Sequence, residues 1–366
     1  MKVLHLIADY LYSPFYKNFI YNLNNLDVDT SIYVSTRRDV QNTEDYDGSV
    51  FVTQKKFNWF DKLLYFPKQQ YIYKEVVENN LITDVNLVHA HTLFSNGFLA
   101  YKLYKSYGIP YIVAIRNTDV NDFFKYMFHL RGLGQQIMLN AKNVIFLSPS
   151  YMSNVCNKYI DSKYRDIILR KSIVIPNGID SVFFEKRSKQ KFKKLNKRVK
   201  LLFVGNINKN KNILSVLLAS DKLIEEGFSV EVYVVGKLVS KKIGIELKKR
   251  DFVRLYSYMQ HEGIIDLMHE TDILIVPSFK ETFGLVYAEA MSQGMPVIYT
   301  KGQGFDGQFE DKYVGCSVVA DDIDDICNSI KYIMNNYNEI SENCYNSVGK
   351  FSWSLIAKKY LELYKI

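Results

Sequence analysis

Short apolar runs alternate along this chain with longer helical patterns, and that alternation constrains the fold more than any other feature. Val3-Leu4-His5-Leu6-Ile7, Leu87-Val88-His89-Ala90, the run 111–115, the run 143–147 and the run 172–176 read as strands. Helical stretches between them give the signature of βαβ units and a mostly parallel sheet. After a basic stretch the pattern restarts at Val199-Lys200-Leu201-Leu202-Phe203-Val204-Gly205 and continues through 229–236, 272–277, 296–299 and 317–319. The expected fold class is therefore α/β, with two doubly wound, Rossmann-like parallel-sheet domains over residues 1–183 and 184–350, joined near Asp180 to Lys200. A length of 366 residues suits two domains of common size. Ligands of such sheets sit beyond the carboxyl ends of the strands, so the cleft between the domains is the expected place for one.

Nearly half of the residues are apolar and 23% are charged, ample material for burial. No run of about 18 apolar residues offers a membrane span, and residues 1–9 are too short and too polar at their end for a signal peptide, so the expected location is the cytoplasm. Cys156, Cys316, Cys327 and Cys344 form no Cys-x-x-Cys pair and suit reduced, structural thiols. The net charge of +8 speaks to partners. Nine of the fifteen residues 186–200 are basic, a run that is more often a solvated linker than a binding surface. No aromatic-basic interleaving on strands suggests nucleic acid as a partner. The segment Lys55-Lys56-Phe57-Asn58-Trp59-Phe60-Asp61-Lys62-Leu63-Leu64-Tyr65-Phe66-Pro67-Lys68 mixes lysines with aromatics, as segments at an anionic membrane surface do, and fits an ordinary amphipathic helix equally well. Neither half carries Gly-x-Gly-x-x-Gly after its first strand, which disfavours a nicotinamide or flavin cofactor.

The chemistry concentrates in Glu281-Thr282-Phe283-Gly284-Leu285-Val286-Tyr287-Ala288-Glu289. Residues 285–293 have helical apolar spacing and are stopped by Gly294 and Pro296, so the turn 282–284 lies at a helix N-terminus. Free amides and the positive end of the helix dipole make such a turn a site for phosphate, and Gly284 lets a ligand approach the backbone. A diphosphate there would have one carboxylate toward each end, and carboxylates accept paired hydroxyls of sugars and riboses. On spacing alone the alternative is that Glu281 caps the helix and Glu289 sits on a solvated face.

The whole pattern, Pro277-Ser278-x-x-Glu281-Thr-Phe-Gly-Leu-x-x-x-Glu289-Ala-Met-x-x-Gly294-x-Pro296-Val297, resembles the glutamate-x7-glutamate region of retaining GT-B glycosyltransferases of family 4, the group 1 type. Ile175-Pro176-Asn177-Gly178-Ile179-Asp180, Phe203 to Lys211, and Phe351 to Tyr360 are similar to three further segments of that family. The resemblance implies GT-B architecture, two domains facing across a cleft, with residues 351–366 returning to the N-terminal domain. It implies a retaining hexosyltransferase that takes a nucleoside diphosphate sugar, with UDP expected. The acceptor would be a glycan or lipid-linked saccharide of bacterial surface polysaccharide biosynthesis, reached from the inner face of the membrane. A catalytically silent GT-B protein that binds a glycan or partner is the alternative. No cofactor or metal is implied.

By position, Glu289 would hold the ribose and Glu281 the donor sugar. Amides of Phe283, Gly284 and Leu285 would hold the diphosphate, with Lys211 neutralising it. Gly205 belongs to the same loop, Asn206 occupies the family's arginine position, and Lys209 is a candidate substitute. The loop Gly302-Gln303-Gly304-Phe305-Asp306-Gly307 resembles the one that faces the donor, which brings in Gly304. Ile115-Arg116-Asn117-Thr118-Asp119 aligns with a stretch near the reacting sugar and nominates Arg116 and Asp119; a helix start is the other reading, since Thr118 and Asp119 are both good N-caps. His89 and His91 point the same way from one strand end without a third ligand, so a structural reading is preferred for them, with His91 as a second acceptor-side candidate.

Overall fold

The structure, a computed structural model, describes residues 1–35, 49–53, 65–187 and 193–365. The chain divides into two compact units: Met1–Leu147, Met152–Pro176 and Trp353–Ile366 form the first, and Ser148–Tyr151 with Asn177–Ser352 form the second. The passage between them thus falls at 176/177, ahead of residue 183. Ile179 is the reason: its N–H bonds to the carbonyl of Phe351 at 3.0 Å and it bridges to Ser352, so residues 177–180 already belong to the second unit.

In the first unit the order is β1 (Lys2–Leu6), α1 (Pro14–Asn24), β2 (Asp29–Val34), β3 (Val50–Val52), α2 (Tyr65–Glu78), β4 (Leu87–Ala90), α3 (Gly97–Tyr107), β5 (Tyr111–Ala114), α4 (Arg131–Asn140), β6 (Asn143–Phe146), α5 (Pro149–Tyr159), α6 (Ser162–Arg170) and β7 (Ser172–Val174). All seven strands are parallel, in the order β3-β2-β1-β4-β5-β6-β7. In the second unit come α7 (Val182–Glu185), β8 (Arg198–Val204), α8 (Ile213–Glu225), β9 (Ser229–Val235), α9 (Lys241–Lys248), β10 (Val253–Tyr256), α10 (His261–Glu270), β11 (Ile273–Ile275), α11 (Leu285–Ser292), β12 (Val297–Thr300), β13 (Gly315–Val318), α12 (Ile323–Asn335) and α13 (Tyr337–Ser347). Its six strands are again parallel, ordered β10-β9-β8-β11-β12-β13. Helix α14 (Trp353–Tyr364) closes the list and belongs to the first unit. These are two doubly wound α/β units of the GT-B class.

The central strands are almost wholly apolar because helices cover both sheet faces, as parallel sheets require. Val3, Leu87, Ile112 and Ile145 are buried and share one cluster with Phe19, Ile20 and Leu23 of α1 and Ile356, Ala357, Tyr360 and Tyr364 of α14. Each sheet reverses its winding once, between β1 and β4 and between β8 and β11. Loops diverge at such a switch point and leave room beyond the strand ends. Among the described residues no helix is long and apolar enough to cross a membrane. Residues 55–64 of the lysine-aromatic segment and residues 188–192 of the basic run lie outside the described residues.

Candidate functional site

The loops leaving β8 and β11 meet at the switch point of the second sheet. After β8, Gly205 adopts φ +150, and the side-chain stem of Lys211 runs over it: a Cβ there would lie 3.6 Å from Lys211 Cε. Asn208 Oδ1 accepts from the Lys211 amide, three residues on, at 3.0 Å, a local side-chain-to-backbone bond that fixes the loop at the lysine. The next residue, Asn212, is left-handed at φ 56, a conformation Asn tolerates better than most residues. Its buried amide donates to the carbonyls of Pro277 at 3.2 Å and Ala320 at 2.5 Å, while Ser215 Oγ donates to its Oδ1 at 3.0 Å. The two loops are also joined by Phe279 N to Asn210 O at 2.8 Å and Asn210 Nδ2 to Lys280 O at 3.0 Å.

These contacts deliver Lys211 to Glu281, and Lys211 Nζ forms an ion pair with Glu281 Oε2. The pair is partly accessible, with 23% of the lysine side chain and 14% of the glutamate side chain exposed. Ser278 Oγ donates to the same oxygen at 3.3 Å, and the Thr282 amide donates to Oε1 at 3.2 Å. The backbone of Glu281 is clipped on both sides by one loop: its N–H donates to Gln303 Oε1 at 3.0 Å and its carbonyl accepts from Gly304 N at 3.0 Å. Gly304 lies so close that a Cβ would stand 1.9 Å from the Thr282 carbonyl oxygen and 2.5 Å from Phe283 N. Gly304 is thus placed as support for the turn by backbone packing.

Helix α11 starts at Leu285 with Gly284 as its N-cap residue, left-handed at φ 77 and ψ 72, with no side chain capping the first amides. A Cβ on Gly284 would meet Tyr287 Cε2 at 2.3 Å, so only glycine leaves this end open. The Phe283 side chain is buried, edge-on to Phe351 at 5.7 Å between centroids, and holds the turn from below. Glu289 follows one turn into the helix. Burial, helped by the nearby Asp180 carboxylate, pushes its carboxyl up to about 7. Asn206 and Lys209 are exposed.

In the first unit the nominated residues play different parts. Asp119 is fully buried and opens a short π-helical segment, Asp119–Phe124. Its carboxylate accepts from the amides of Leu93 at 3.0 Å, Phe94 at 3.0 Å and Arg116 at 2.9 Å, tying the turn after β4 to the end of β5. Burial raises it to about 6 in spite of these three bonds. It is enclosed, whereas its neighbour Arg116 is half-buried, and the Arg116 Nε approaches the His91 carbonyl at 3.4 Å. The missing third histidine is His5 on β1. His5 Nδ1 and His91 Nε2 share a hydrogen bond at 3.1 Å, His89 and His91 stack at 3.8 Å, and His89 Nδ1 meets the Tyr364 hydroxyl at 2.7 Å. One ligand nitrogen from each lies within 4.8 Å of the others, yet the ring contacts and the neighbouring Arg116 guanidinium suit a neutral hydrogen-bonded stack. Burial holds all three imidazoles far below their usual pKa, His5 to about 3.

Ser278, Gln303, Asn208 and Asn212 escaped the sequence reading. The two asparagines left a faint trace, since Asn readily bonds backbone amides a few residues on and is the residue after glycine most at ease in a left-handed position. Ser278 and Gln303 stand inside the quoted motif and loop, but their contacts with Glu281 could not be read there; that of Gln303 bridges 22 residues.

Residues 184–350 match the model of the family described as glycosyl transferases group 1. Along the whole length, the chain is 23% identical over 374 residues to an uncharacterized glycosyltransferase of Methanocaldococcus jannaschii, covering 99% of both. Among solved structures it resembles the lipopolysaccharide outer core galactosyltransferase WaaB in its apo form, with a TM-score of 0.77 and 14% identity over 99% of each chain. It also resembles HepE of Anabaena in complex with UDP-glucose, with a TM-score of 0.65 and 16% identity over 99% of this chain and 98% of that one. At such identities the likeness to these two structures is one of fold.

Proposed function

We propose that the protein is a retaining glycosyltransferase of family 4 that moves a hexose from a nucleoside diphosphate sugar to a saccharide or lipid-linked saccharide. The donor nucleotide is UDP, and the setting is surface polysaccharide biosynthesis at the cytoplasmic face of a membrane. The observation that carries this reading is the Lys211–Glu281 ion pair beside the uncapped N-terminus of α11, with Glu289 one turn further in. The group 1 match over 184–350 supports it, as does a relative of the same fold that holds UDP-glucose.

An incoming diphosphate competes with Glu281 for the Lys211 ammonium. Once Lys211 turns to the phosphates, Glu281 is released to accept hydroxyls of the sugar while Gln303 and Gly304 keep its backbone fixed. The amides of Gly284 and Leu285 take the remaining phosphate charge. Glu289 accepts the ribose hydroxyls. The bond between anomeric carbon and diphosphate oxygen breaks as the acceptor oxygen attacks from the same face, and the acceptor's proton passes to the departing oxygen. Positioning and stabilisation of the leaving diphosphate carry the rate. Lys211 and the amides supply that stabilisation without a metal ion or cofactor.

Thermal unfolding against UDP, GDP, ADP and CMP and their common sugars, with and without EDTA, tests this. A nucleotide at a hundred times its Kd stabilises by about 2.7 kcal/mol. The expected outcome is a rise in melting temperature with uridine nucleotides, unchanged by EDTA and abolished in Lys211→Met. No rise with any base would leave a silent glycan- or partner-binding protein.

A further inference from the structure

A second surface of the second unit carries features of its own. The loop after β9 and helix α9 expose Leu238, Val239 and Ile245, at 42%, 59% and 57%. The three form one patch, because Leu238 lies against Gly244: a Cβ there would stand 2.8 Å from Leu238 Cδ2. The patch is rigid. Val239 and Ser240 both donate their amides to the Ile207 carbonyl, at 3.1 and 3.3 Å, and the opposite face of α9 is anchored by buried Ile243 and Leu247. The adjoining helix α8 exposes Leu218 as well.

Around these side chains stand Lys237, Lys241, Lys242 and Lys248, all exposed. None of the four has an ion pair among the described residues; the local acid, Glu246, is taken by Lys249 at 2.7 Å and Arg250 at 3.3 Å. Apolar tips ringed by unneutralised lysines are poor material for a protein interface, whose buried core is depleted of lysine. They suit the boundary between acyl chains and anionic headgroups, where the tips enter the apolar layer and the ammonium groups meet phosphates.

We propose that the β9–α9 loop and α9 form a docking surface for an anionic lipid bilayer. Ile207, which holds this loop, lies in the same β8–α8 connection as Lys211, so docking would bring the candidate donor loop close to a lipid-linked acceptor. That consequence rests on the glycosyltransferase reading; the docking itself does not.

Flotation of the full chain with phosphatidylcholine vesicles, with and without phosphatidylglycerol, tests the surface. The chain should float only with phosphatidylglycerol present and be released by salt. The Val239→Ser/Ile245→Ser and Lys241→Ser/Lys242→Ser variants should each lose binding at least about tenfold, with melting temperature and nucleotide-induced shift unchanged. The proposal is overturned if the wild type stays off the anionic vesicles, or if the variants bind as well as the wild type. It is also overturned if binding is lost only on Trp59→Ser/Phe60→Ser, or if the patch variants instead abolish self-association of the chain. Flotation with no nucleotide shift would retain the surface and remove the donor reading, and the reverse result would do the opposite.

Discussion

Both sheets reverse their winding at equivalent places, and the two units use those places differently. Where β1 and β4 part, His5, His89 and His91 pack among Phe19, Tyr360 and Tyr364 with no water-accessible surface to speak of. Where β8 and β11 part, Lys211 and Glu281 stay partly exposed and paired. One topology therefore yields an interior in the first unit and a polar, partly exposed cluster in the second. The difference lies in which side chains the strand ends carry and how tightly the loops are held back.

That contrast is most sharply tested with acid. The buried imidazoles are neutral in the folded state and take up protons on unfolding below pH 6.5, so stability falls as pH drops from 6.5 toward the folded-state value of about 3 for His5. His5 alone should remove about 3 kcal/mol by pH 4. Denaturant titrations followed by Trp353 fluorescence in a Trp59→Phe background should report early acid loss of the first unit. His5→Phe should flatten the slope. A slope left unchanged by His5→Phe would erase the contrast.

Next in size is Gly304→Ala. The added methyl group collides with backbone rather than with a movable side chain, so the turn 281–284 must shift. We expect a loss of about 2–4 kcal/mol and no nucleotide-induced shift in melting temperature; a variant that retains that shift would mean the turn does not need its support.

Asp119→Asn comes third. An amide cannot accept from three backbone N–H groups without turning its own NH2 toward one of them, which costs about 2 kcal/mol. Because the carboxylate is enclosed, nucleotide-induced stabilisation should survive; its disappearance would bring Asp119 back among the site residues. The smallest effect belongs to Glu289→Gln. The carboxyl titrates near 7 in the folded state and lower when unfolded, so its contribution is present at pH 4 and lost as pH rises through 7. The variant should equal the wild type at pH 4 and exceed it by about 1 kcal/mol at pH 8, after allowance for the partly accessible carboxyl, while binding nucleotide more weakly.

The same contrast explains what could be read from the sequence. The second-unit turn is local: the strand end at Ile275, the glutamate, the glycine and the helix start at Leu285 follow one another in a single short passage of chain, and helix-terminus physics acts on them without help from elsewhere. The central strands were legible because both faces are buried. Polar strands were not: β10, at a sheet edge, exposes Arg254 and Leu255, and β2, inside its sheet, opens with Asp-Thr-Ser, so neither shows a continuous apolar run. Asp119 looked like a helix cap because its partners, Leu93 and Phe94, come from a different strand end. The histidine trio was invisible for the same reason, since His5 and His89 become neighbours only through the β1–β4 register.

Helix α14 sets the order in which the molecule can be assembled. Its side chains Ile356, Ala357, Tyr360 and Tyr364 complete a core begun by β1 and α1, more than 300 residues earlier in the chain. Apart from Ser148–Tyr151, the second unit needs only 177–352, one uninterrupted stretch. On a ribosome, then, the half synthesised later can close first, while the half synthesised earlier must keep an apolar groove open until the last helix emerges. Long-range closure of this kind is slow and exposes surface to aggregation, so the yield of folded protein should depend on chaperones acting on the first unit rather than on the one that carries the candidate chemistry.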